Sequence, residues 1–371
     1  MRKKICIFCE TWESGGIESF INAILLNGDR NAIEVDIVVS KLKDSVFTAG
    51  LKQAGVHFYS LSGRTSQILL NAMLFRSILK KRQYDIVHFN IYQGVSMIYA
   101  QIAATYKVPV RIVHSHNADL RKSLSKPMKM LLHRAARQIF SRYATDFWAC
   151  SSSAAEFMFP RKSVLEKVLL IPNGINTSEF AFDAVERDEV RIQMGIEDKF
   201  VIGNVGRLCY QKNQTFLIDV LSELIKIESN SILLLVGDGA ERVHLEEKIY
   251  SCGLQSHVIF YGNTPKPEKL YWAMDVFAFP SLFEGFGIVS VEAQASGLPV
   301  ICSEFVPSET YLTSAVKMVP IQEGSNRWAQ ELLRTAKIRQ ERYDAALKVK
   351  AAGFDIKDVA KQVGAYYCNH T

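Results

Sequence analysis

The 371-residue sequence lacks the features that mark several large classes of protein. Its seven cysteines form an odd, scattered set, which suits a reducing cytoplasm better than a disulfide framework. The basic start, 2–4, is followed by an apolar run too short for a signal peptide. No stretch is long enough to predict a transmembrane helix. We therefore expect a cytoplasmic protein.

Several nucleotide-binding, hydrolase and metal motifs are also missing. No G-x-G-x-x-G follows the first strand-like run, and Gly237-Asp238-Gly239 lacks the third glycine. A Walker A loop and a G-x-S-x-G elbow are absent. Asp-x-Asp does not occur near residues 279–300, and the pair Cys6-x-x-Cys9 has no further ligands beside it. Dinucleotide redox chemistry, P-loop chemistry and metal binding are therefore not predicted.

Charge is distributed unequally along the chain, whose formal net charge is +6. Residues 1–170 contain 24 Lys and Arg against 12 Asp and Glu and so carry +12, while the remainder carries −6. At 121–142, apolar side chains recur at helical spacing opposite Lys129, Arg134 and Arg137. Such a helix suits reversible attachment to an anionic membrane surface, and a solvated face of an ordinary packing helix is the alternative. Nucleic acid is not predicted, because no binding motif or aromatic stacking platform accompanies these charges.

Strand-like apolar runs alternate with helix-like segments along the chain, which predicts an α/β fold of two doubly wound domains with parallel sheets. The strands are predicted at 4–9, 35–40, 85–90, 110–116, 147–151 and 168–172, and then at 200–205, 232–237, 258–262, 276–279, 300–303 and 316–320. The acidic stretch 176–198 predicts a solvated helical connection between the domains. The first domain is thus expected at 1–174 and the second at 175–353, with a terminal helix, 354–371, packing back on the first.

The run 279–300 places two carboxylates around a glycine-rich helix start. Its pattern predicts a helix over 287–296, so that Glu284 precedes the helix and Glu292 lies about one turn deeper. The amides of the first turn, 287–289, have no intrahelical acceptor, and the helix dipole adds positive charge there. A diphosphate fits this helix end, and the two carboxylates suit the hydroxyl groups of a sugar or ribose.

Several short motifs accompany the run around Glu284: Gly15-Gly16-Ile17-Glu18, His114-Ser115-His116-Asn117, Ile171-Pro172-Asn173-Gly174-Ile175, Val205-Gly206-Arg207, Gln211-Lys212-Asn213 and Val236-Gly237-Asp238-Gly239. Taken together, these motifs resemble those of the retaining GT-B glycosyltransferases with the E-x7-E motif, known as family 4 or group 1, over nearly the whole chain. Two of them, Gly-Gly-Ile-Glu and His-Ser-His-Asn, are similar to those of exopolysaccharide and capsule enzymes. The resemblance implies a GT-B fold, in which two Rossmann-like doubly wound parallel-sheet domains face a central cleft.

The resemblance also implies how a nucleotide-sugar donor would be held. Glu284 would bind hydroxyls of the donor sugar and Glu292 those of the ribose, while Arg207 and Lys212 would grip the diphosphate. Backbone contacts to sugar and phosphate are implied for Gly15, Gly16, Phe286, Gly287, Ile288 and Val289. No metal and no cofactor are expected, because the cations and amides would neutralise the diphosphate.

A histidine of the first domain completes the implied catalytic set of Glu284, His116, Arg207 and Lys212. His116 resembles the family histidine that contacts the transferred sugar. His114 lies on the same strand face by alternation, and is the alternative for this role. Two polar residues of an earlier strand, His88 and Asn90, are candidates for the acceptor side.

The activity implied is retaining transfer of a hexose or N-acetylhexosamine from a nucleotide sugar, with UDP favoured, to a lipid-linked saccharide. Capsule, exopolysaccharide or O-antigen assembly is the expected setting. A glycosyltransferase with a soluble acceptor, or a non-catalytic partner subunit that binds a sugar nucleotide, are the alternatives. The expected location is the cytoplasm, peripherally at the inner face of the plasma membrane, with the basic N-terminal domain on the anionic surface.

Overall fold

The computed structural model describes residues 2–13, 16–29, 31–43, 45–64, 66–120, 125–337 and 342–370. The chain divides into two compact units, the first formed by Met1–Gly174 with Ile356–Thr371 and the second by Ile175–Asp355. Each unit contains a parallel β-sheet covered by helices. This architecture confirms the predicted α/β class with two doubly wound domains.

The N-terminal unit is built, within the described residues, on a seven-stranded sheet of order β3-β2-β1-β4-β5-β6-β7. Its strands are β1 (Lys3–Trp12), β2 (Ile33–Leu42), β3 (His57–Ser60), β4 (Ile86–Ile91), β5 (Val110–Ser115), β6 (Asp146–Ala149) and β7 (Leu169–Leu170). Its helices are α1 (Gly16–Asn27), α2 (Thr48–Gln53), α3 (Ile68–Arg82), α4 (Ile98–Thr105), α5 (Lys126–Phe140), α6 (Ser152–Met158), α7 (Lys162–Leu165) and, after the second unit, α16 (Ile356–Asn369).

Helix α16 completes the hydrophobic core of this unit. Its apolar residues recur at three- and four-residue intervals, which places Ile356, Val359 and Val363 on one helix face. These side chains are buried in one cluster with Ile21 and Leu25 of α1. The helix therefore covers the sheet face that α1 alone leaves open.

The C-terminal unit is built, in the part of it that the structure describes, on a six-stranded sheet of order β10-β9-β8-β11-β12-β13. Its strands are β8 (Phe200–Val205), β9 (Ser231–Val236), β10 (Val258–Gly262), β11 (Val276–Phe279), β12 (Val300–Cys302) and β13 (Val316–Met318). Its helices are α8 (Thr177–Phe180), α9 (Ala184–Met194), α10 (Gln214–Leu224), α11 (Arg242–Ser251), α12 (Pro267–Ala273), α13 (Ile288–Ala295), α14 (Gly324–Ala336) and α15 (Ala345–Val349), followed by a π-helical turn at Lys350–Phe354.

The acidic stretch 176–198 is helical, but the prediction that it is a simple solvated connection is wrong. Two arginines of α9 dock the helix onto the end of α12. Arg187 donates to Met274 O at 2.7 Å and pairs with Asp275 at 2.6 Å, while the buried Arg191 donates to Ala273 O at 2.7 Å. Since guanidinium groups satisfy several carbonyls at once, these bonds fix α9 within the C-terminal unit.

Parallel strands bring functional loops to one edge of each sheet. In the C-terminal unit β8 and β11 are neighbours, so the loops that follow Val205 and Phe279 begin side by side. In the N-terminal unit β4 and β5 are neighbours, and Asn90 is in register with His114. Ligands of such sheets bind outside the carboxyl ends of the strands, where these loops lie.

Candidate functional site

The loop between β11 and α13 carries the first predicted carboxylate. Gly287 enters α13 with a φ of 85°, a conformation that favours glycine, and α13 agrees with the predicted helix to within one residue at each end. Glu284 lies in this loop and is only 5% exposed. Its Oε1 accepts a hydrogen bond from Lys212 Nζ at 2.7 Å, so two predicted donor-binding residues form a buried ion pair.

Lys212 is fixed in position by its ring contact and by its loop. Its Nζ lies 4.8 Å from the centre of the Phe279 ring, within the range of a cation–π contact. Three hydrogen bonds join the loop of Lys212 to that of Glu284: Leu282 N to Gln211 O (2.8 Å), Gln211 Nε2 to Phe283 O (2.9 Å) and Asn213 Nδ2 to Pro280 O (3.2 Å). The ammonium is therefore preorganised beside the carboxylate.

Arg207 is exposed on the loop after β8. The backbone of that loop is hydrogen-bonded to the end of β9. Gly206 N donates to Val236 O at 2.9 Å. Gly237 has a φ of 129°, and a Cβ there would lie 2.2 Å from Gly206 O. The missing side chain at 237 therefore lets the two loops approach. Sequence reasoning noted the motif Gly237-Asp238-Gly239 but did not predict this positioning role.

Glu292, the second predicted carboxylate, lies on α13 and is held by Tyr271 of α12. Tyr271 Oη donates to Glu292 Oε2 at 2.7 Å. Burial raises the pKa of Glu292 to about 6, although the Tyr271 hydrogen bond and the Lys212 charge oppose this rise. The group is thus an anion at neutral pH, able to accept hydroxyl donors. No sequence signal pointed to Tyr271, which precedes Glu292 by 21 residues.

The start of α13 supplies backbone donors. The N–H groups of Ile288 and Val289 belong to its first turn and have no intrahelical acceptor in helix geometry. The preceding Phe286 is buried, and its ring stacks on Phe354 with centroids 5.8 Å apart. The Phe286 side chain therefore anchors the loop, and only its backbone is available for the predicted ligand contact.

The C-terminal unit thus brings Glu284, Lys212, Glu292 and the α13 start together, with Arg207 on the adjoining loop. The remaining predicted residues belong to the N-terminal unit. Gly15 lies outside the described residues. Gly16 begins α1, and a Cβ added there would meet no atom of the described residues within 4 Å, so their packing does not require a glycine at that position.

His116 follows β5 and is buried in the N-terminal unit. Its Nε2 pairs with Asn90 Oδ1 at 2.8 Å, and its ring lies 5.5 Å from that of Phe20. Burial lowers the pKa of His116 to about 3, so the ring is neutral at physiological pH. A neutral imidazole can both donate and accept a hydrogen bond.

His114 belongs to a second hydrogen-bonded group beside His116. Its Nδ1 pairs with His88 Nε2 at 3.1 Å, and His88 Nδ1 pairs with Tyr367 Oη at 2.6 Å. The two residues that the sequence suggested for the acceptor side, His88 and Asn90, therefore orient the two histidines of the motif. Tyr367, on α16, was not predicted.

Each half of the chain matches a glycosyltransferase family. Residues 186–342 match the family described as glycosyl transferases group 1, and residues 14–179 match glycosyltransferase family 4. Glycosyltransferase EpsF of Bacillus subtilis is 28% identical over 90% of this chain and 88% of its own length. The UDP-Gal:alpha-D-GlcNAc-diphosphoundecaprenol alpha-1,3-galactosyltransferase of Escherichia coli is 28% identical over 61% of this chain and 59% of its own.

The fold also has close counterparts among solved structures. Anabaena Alr3699/HepE in complex with UDP and glucose superposes with a TM-score of 0.79 at 21% identity, over 99% of this chain and 100% of that one. The two doubly wound units and the two family matches define a glycosyltransferase. The chain belongs to the GT-B glycosyltransferases of family 4 and group 1, as the motifs predicted.

Proposed function

We propose that the protein is a retaining glycosyltransferase that moves a hexose or N-acetylhexosamine from a UDP-sugar to a lipid-linked saccharide in capsule, exopolysaccharide or O-antigen assembly. The observation that carries the proposal is the buried Lys212–Glu284 pair beside the start of α13. A cation, a carboxylate and free amides in one place match the phosphate and hydroxyl groups of a nucleotide sugar. The UDP in the HepE complex and the UDP-galactose of the Escherichia coli relative support this donor.

Each chemical group of the donor is assigned to the residues whose chemistry suits it. Lys212, Arg207 and the amides of Ile288 and Val289 bind the diphosphate, because each offers positive charge or an N–H donor. Glu284 accepts hydrogen bonds from hydroxyls of the sugar, and Glu292 accepts them from hydroxyls of the ribose. Further backbone contacts come from Gly15, Gly16, Phe286 and Gly287, and His116 contacts the transferred sugar.

The chemical step proposed is attack by the acceptor on the face of the anomeric carbon from which the diphosphate leaves, so that the donor's configuration is retained. The bond between the anomeric carbon and the diphosphate oxygen breaks while the acceptor oxygen bonds to the same face of that carbon. The acceptor's proton passes to an oxygen of the leaving diphosphate, which balances the reaction. Arg207, Lys212 and the helix amides stabilise the charge that develops on the leaving group, the role that a metal ion performs in other enzymes.

The N-terminal unit is proposed to bind a membrane surface, where a lipid-linked acceptor would be located. Helix α5 exposes a row of apolar residues, among them Leu131 at 62%, together with the exposed cations Lys129 and Arg134. Helix α3, joined to α5 through α4, exposes Leu69 at 81%. Apolar and basic groups on one helical layer suit an anionic lipid surface, at roughly 1 kcal/mol for each basic side chain.

Two expectations about this surface need refinement. Arg137 is held against a backbone carbonyl, since its Nη1 donates to Glu156 O at 3.0 Å. The basic segment 121–124 lies outside the described residues. Among the described helices, none combines the length and the apolar character needed to cross a bilayer.

A donor screen tests the proposed reaction. The purified protein is incubated with UDP-, GDP- and ADP-sugars and with a lipid-diphosphate saccharide, and nucleotide release is followed. We expect turnover with a UDP-hexose or UDP-N-acetylhexosamine, and NMR of the product should show the donor's anomeric configuration. Glu284→Gln should lose activity, while the exposed control Glu246→Gln keeps it. Inverted product would contradict the mechanism, and transfer to a water-soluble saccharide but not to the lipid-linked one would favour a soluble acceptor.

Sedimentation with vesicles tests the membrane surface. Wild-type protein should sediment with phosphatidylglycerol vesicles less strongly as salt rises. Leu131→Ser should weaken sedimentation, while Val243→Ser, at a site 64% exposed on α11, should not. Binding that is independent of salt and of Leu131 would refute the membrane proposal.

A further inference from the structure

Two ring nitrogens in the N-terminal unit are buried without a hydrogen-bond partner in the described residues. They are Nε2 of His114 and Nδ1 of His116. The two ring centroids lie 4.0 Å apart, with the planes inclined by 36°. Leaving a buried polar atom unpaired costs stability, so neighbouring unpaired atoms in a native fold point to a missing ligand.

The proton on His116 can be placed from its neighbour Asn90. Asn90 Nδ2 donates to the backbone carbonyl of His88 at 3.4 Å, which only the NH₂ end of the amide can do. Oδ1 is therefore the atom that faces His116 Nε2, and an amide oxygen can only accept. His116 consequently carries its proton on Nε2, and its unpaired Nδ1 is an acceptor.

The proton on His114 can be placed from the other end of its hydrogen-bonded group. Tyr367 Oη is buried and, within the described residues, bonds only to His88 Nδ1. If the hydroxyl accepted that bond, its own proton would be buried without an acceptor, so the hydroxyl donates. His88 then carries its proton on Nε2 and donates to His114 Nδ1. The unpaired Nε2 of His114 is therefore an N–H donor.

The two unpaired nitrogens thus form a complementary donor and acceptor. We propose that His114 and His116 together bind one hydroxyl group of the saccharide substrate, which accepts from His114 Nε2 and donates to His116 Nδ1. Tyr367 and His88 are the positioning residues that fix the tautomer of His114. This inference rests on the proposed function, and it assigns a role to both histidines where the sequence left a choice between them.

The surroundings of the rings support a fixed arrangement. Phe20 lies edge-on to His114 with centroids 5.3 Å apart, and Trp148 lies 5.7 Å from the same ring. Burial lowers the pKa of His88 and of His116 to about 3, and that of His114 well below its ordinary value. All three rings are neutral at physiological pH, so the placement of single protons decides what the pair can bind.

Nitrogen-15 NMR of histidine-labelled protein tests the tautomers directly. We expect His88, His114 and His116 each to show the Nε2–H form in the wild type. Tyr367→Phe keeps the ring but removes the hydroxyl, and should change His88 and His114 while leaving His116 as it was. Tyr366→Phe, one residue earlier on α16, is the matched control and should change none of them. An Nδ1–H form of His114 in the wild type would overturn the inference.

Calorimetry then tests the ligand. Binding of UDP-glucose, or of whichever UDP-sugar the donor screen selects, is compared with binding of UDP alone. Tyr367→Phe should weaken the UDP-sugar about tenfold, the value of one hydrogen bond, and leave UDP unchanged if the hydroxyl belongs to the donor. If it belongs to the acceptor, both affinities stay constant and the acceptor KM rises by a similar factor.

The failure of this inference is distinguishable from the failure of the proposed function. A wild-type protein that binds no nucleotide sugar contradicts the proposed function. A wild-type protein that binds and transfers sugar, with donor affinity and acceptor KM both unaffected by Tyr367→Phe, overturns the inference alone. The second result would assign the two nitrogens to a buried water.

Discussion

The buried Lys212–Glu284 pair makes a quantitative prediction about stability. Lys212→Met removes the ammonium but keeps an apolar chain against Phe279. Glu284 is then left buried without its cation, and breaking one side of a buried ion pair costs about 3–5 kcal/mol. Because the Lys212 side chain retains 15% exposure and water can reach it, we expect a cost at or just below the lower end of this range, roughly 2–3 kcal/mol. The midpoint of thermal unfolding should fall by roughly 4–12 °C for a unit of this size.

The double variant Lys212→Met/Glu284→Gln separates the lost charge pair from other damage. With both charges removed, no ion is stranded, and stability should return to within about 1 kcal/mol of the wild type. The coupling between the two sites in urea unfolding of the ligand-free protein should be roughly 2 kcal/mol. If the two single losses simply add in the double variant, the reasoning from the ion pair is refuted.

Binding measurements on the same variants distinguish the two roles proposed for the pair. Lys212→Met should weaken UDP, because the diphosphate loses a cation. Glu284→Gln should leave UDP binding intact and remove the extra affinity that the sugar gives to the UDP-sugar. Equal effects of both variants on UDP would contradict the division of the donor between them.

Three further predictions concern pH, backbone and metals. Burial raises the folded pKa of Glu292 to about 6, so this group's contribution to stability is greatest below the unfolded pKa of about 4.3 and is lost as pH rises through 6. Glu292→Gln should therefore raise the midpoint of thermal unfolding at pH 8. The UDP affinity of the wild type should fall below pH 6, because the carboxylate proposed to bind the ribose becomes protonated. Gly237→Ala should impair UDP binding by displacing the loop of Arg207, whereas Gly253→Ala, also at positive φ but with open space around it, should only lower stability by about 1 kcal/mol. Turnover should be unchanged by EDTA or added Mg²⁺, and a metal-dependent rate would contradict charge neutralisation by Arg207 and Lys212.

The sequence predicted most of the sheet strands because buried parallel strands are continuous apolar runs. The predicted bounds of β8, β10 and β11 agree with the structure. Strand β3 was missed, since His57 and Ser60 at its ends are exposed and the sequence His-Phe-Tyr-Ser carries no apolar run. The run 168–172 is apolar, yet only Leu169–Leu170 pairs with a neighbour, because pairing depends on the partner strand as well as on composition.

The arrangement of the candidate site residues was predictable where they share one segment, and not where it depends on tertiary contact. Glu284, Glu292 and the helix start lie within one short run. The direct pairing of Glu284 with Lys212 joins residues 72 positions apart, and the bond of His88 to Tyr367 spans 279 positions. Neither pairing leaves a periodic or local signal, so neither could be deduced from spacing.

The return of α16 to the N-terminal unit has a consequence for biosynthesis. During translation, residues 175–355 are complete and contiguous before 356–370 emerge, so the C-terminal unit can fold while the other unit still lacks Val359, Val363 and Tyr367. The unit that is made first therefore completes its core last, once 356–370 have emerged and Tyr367 can bond to His88.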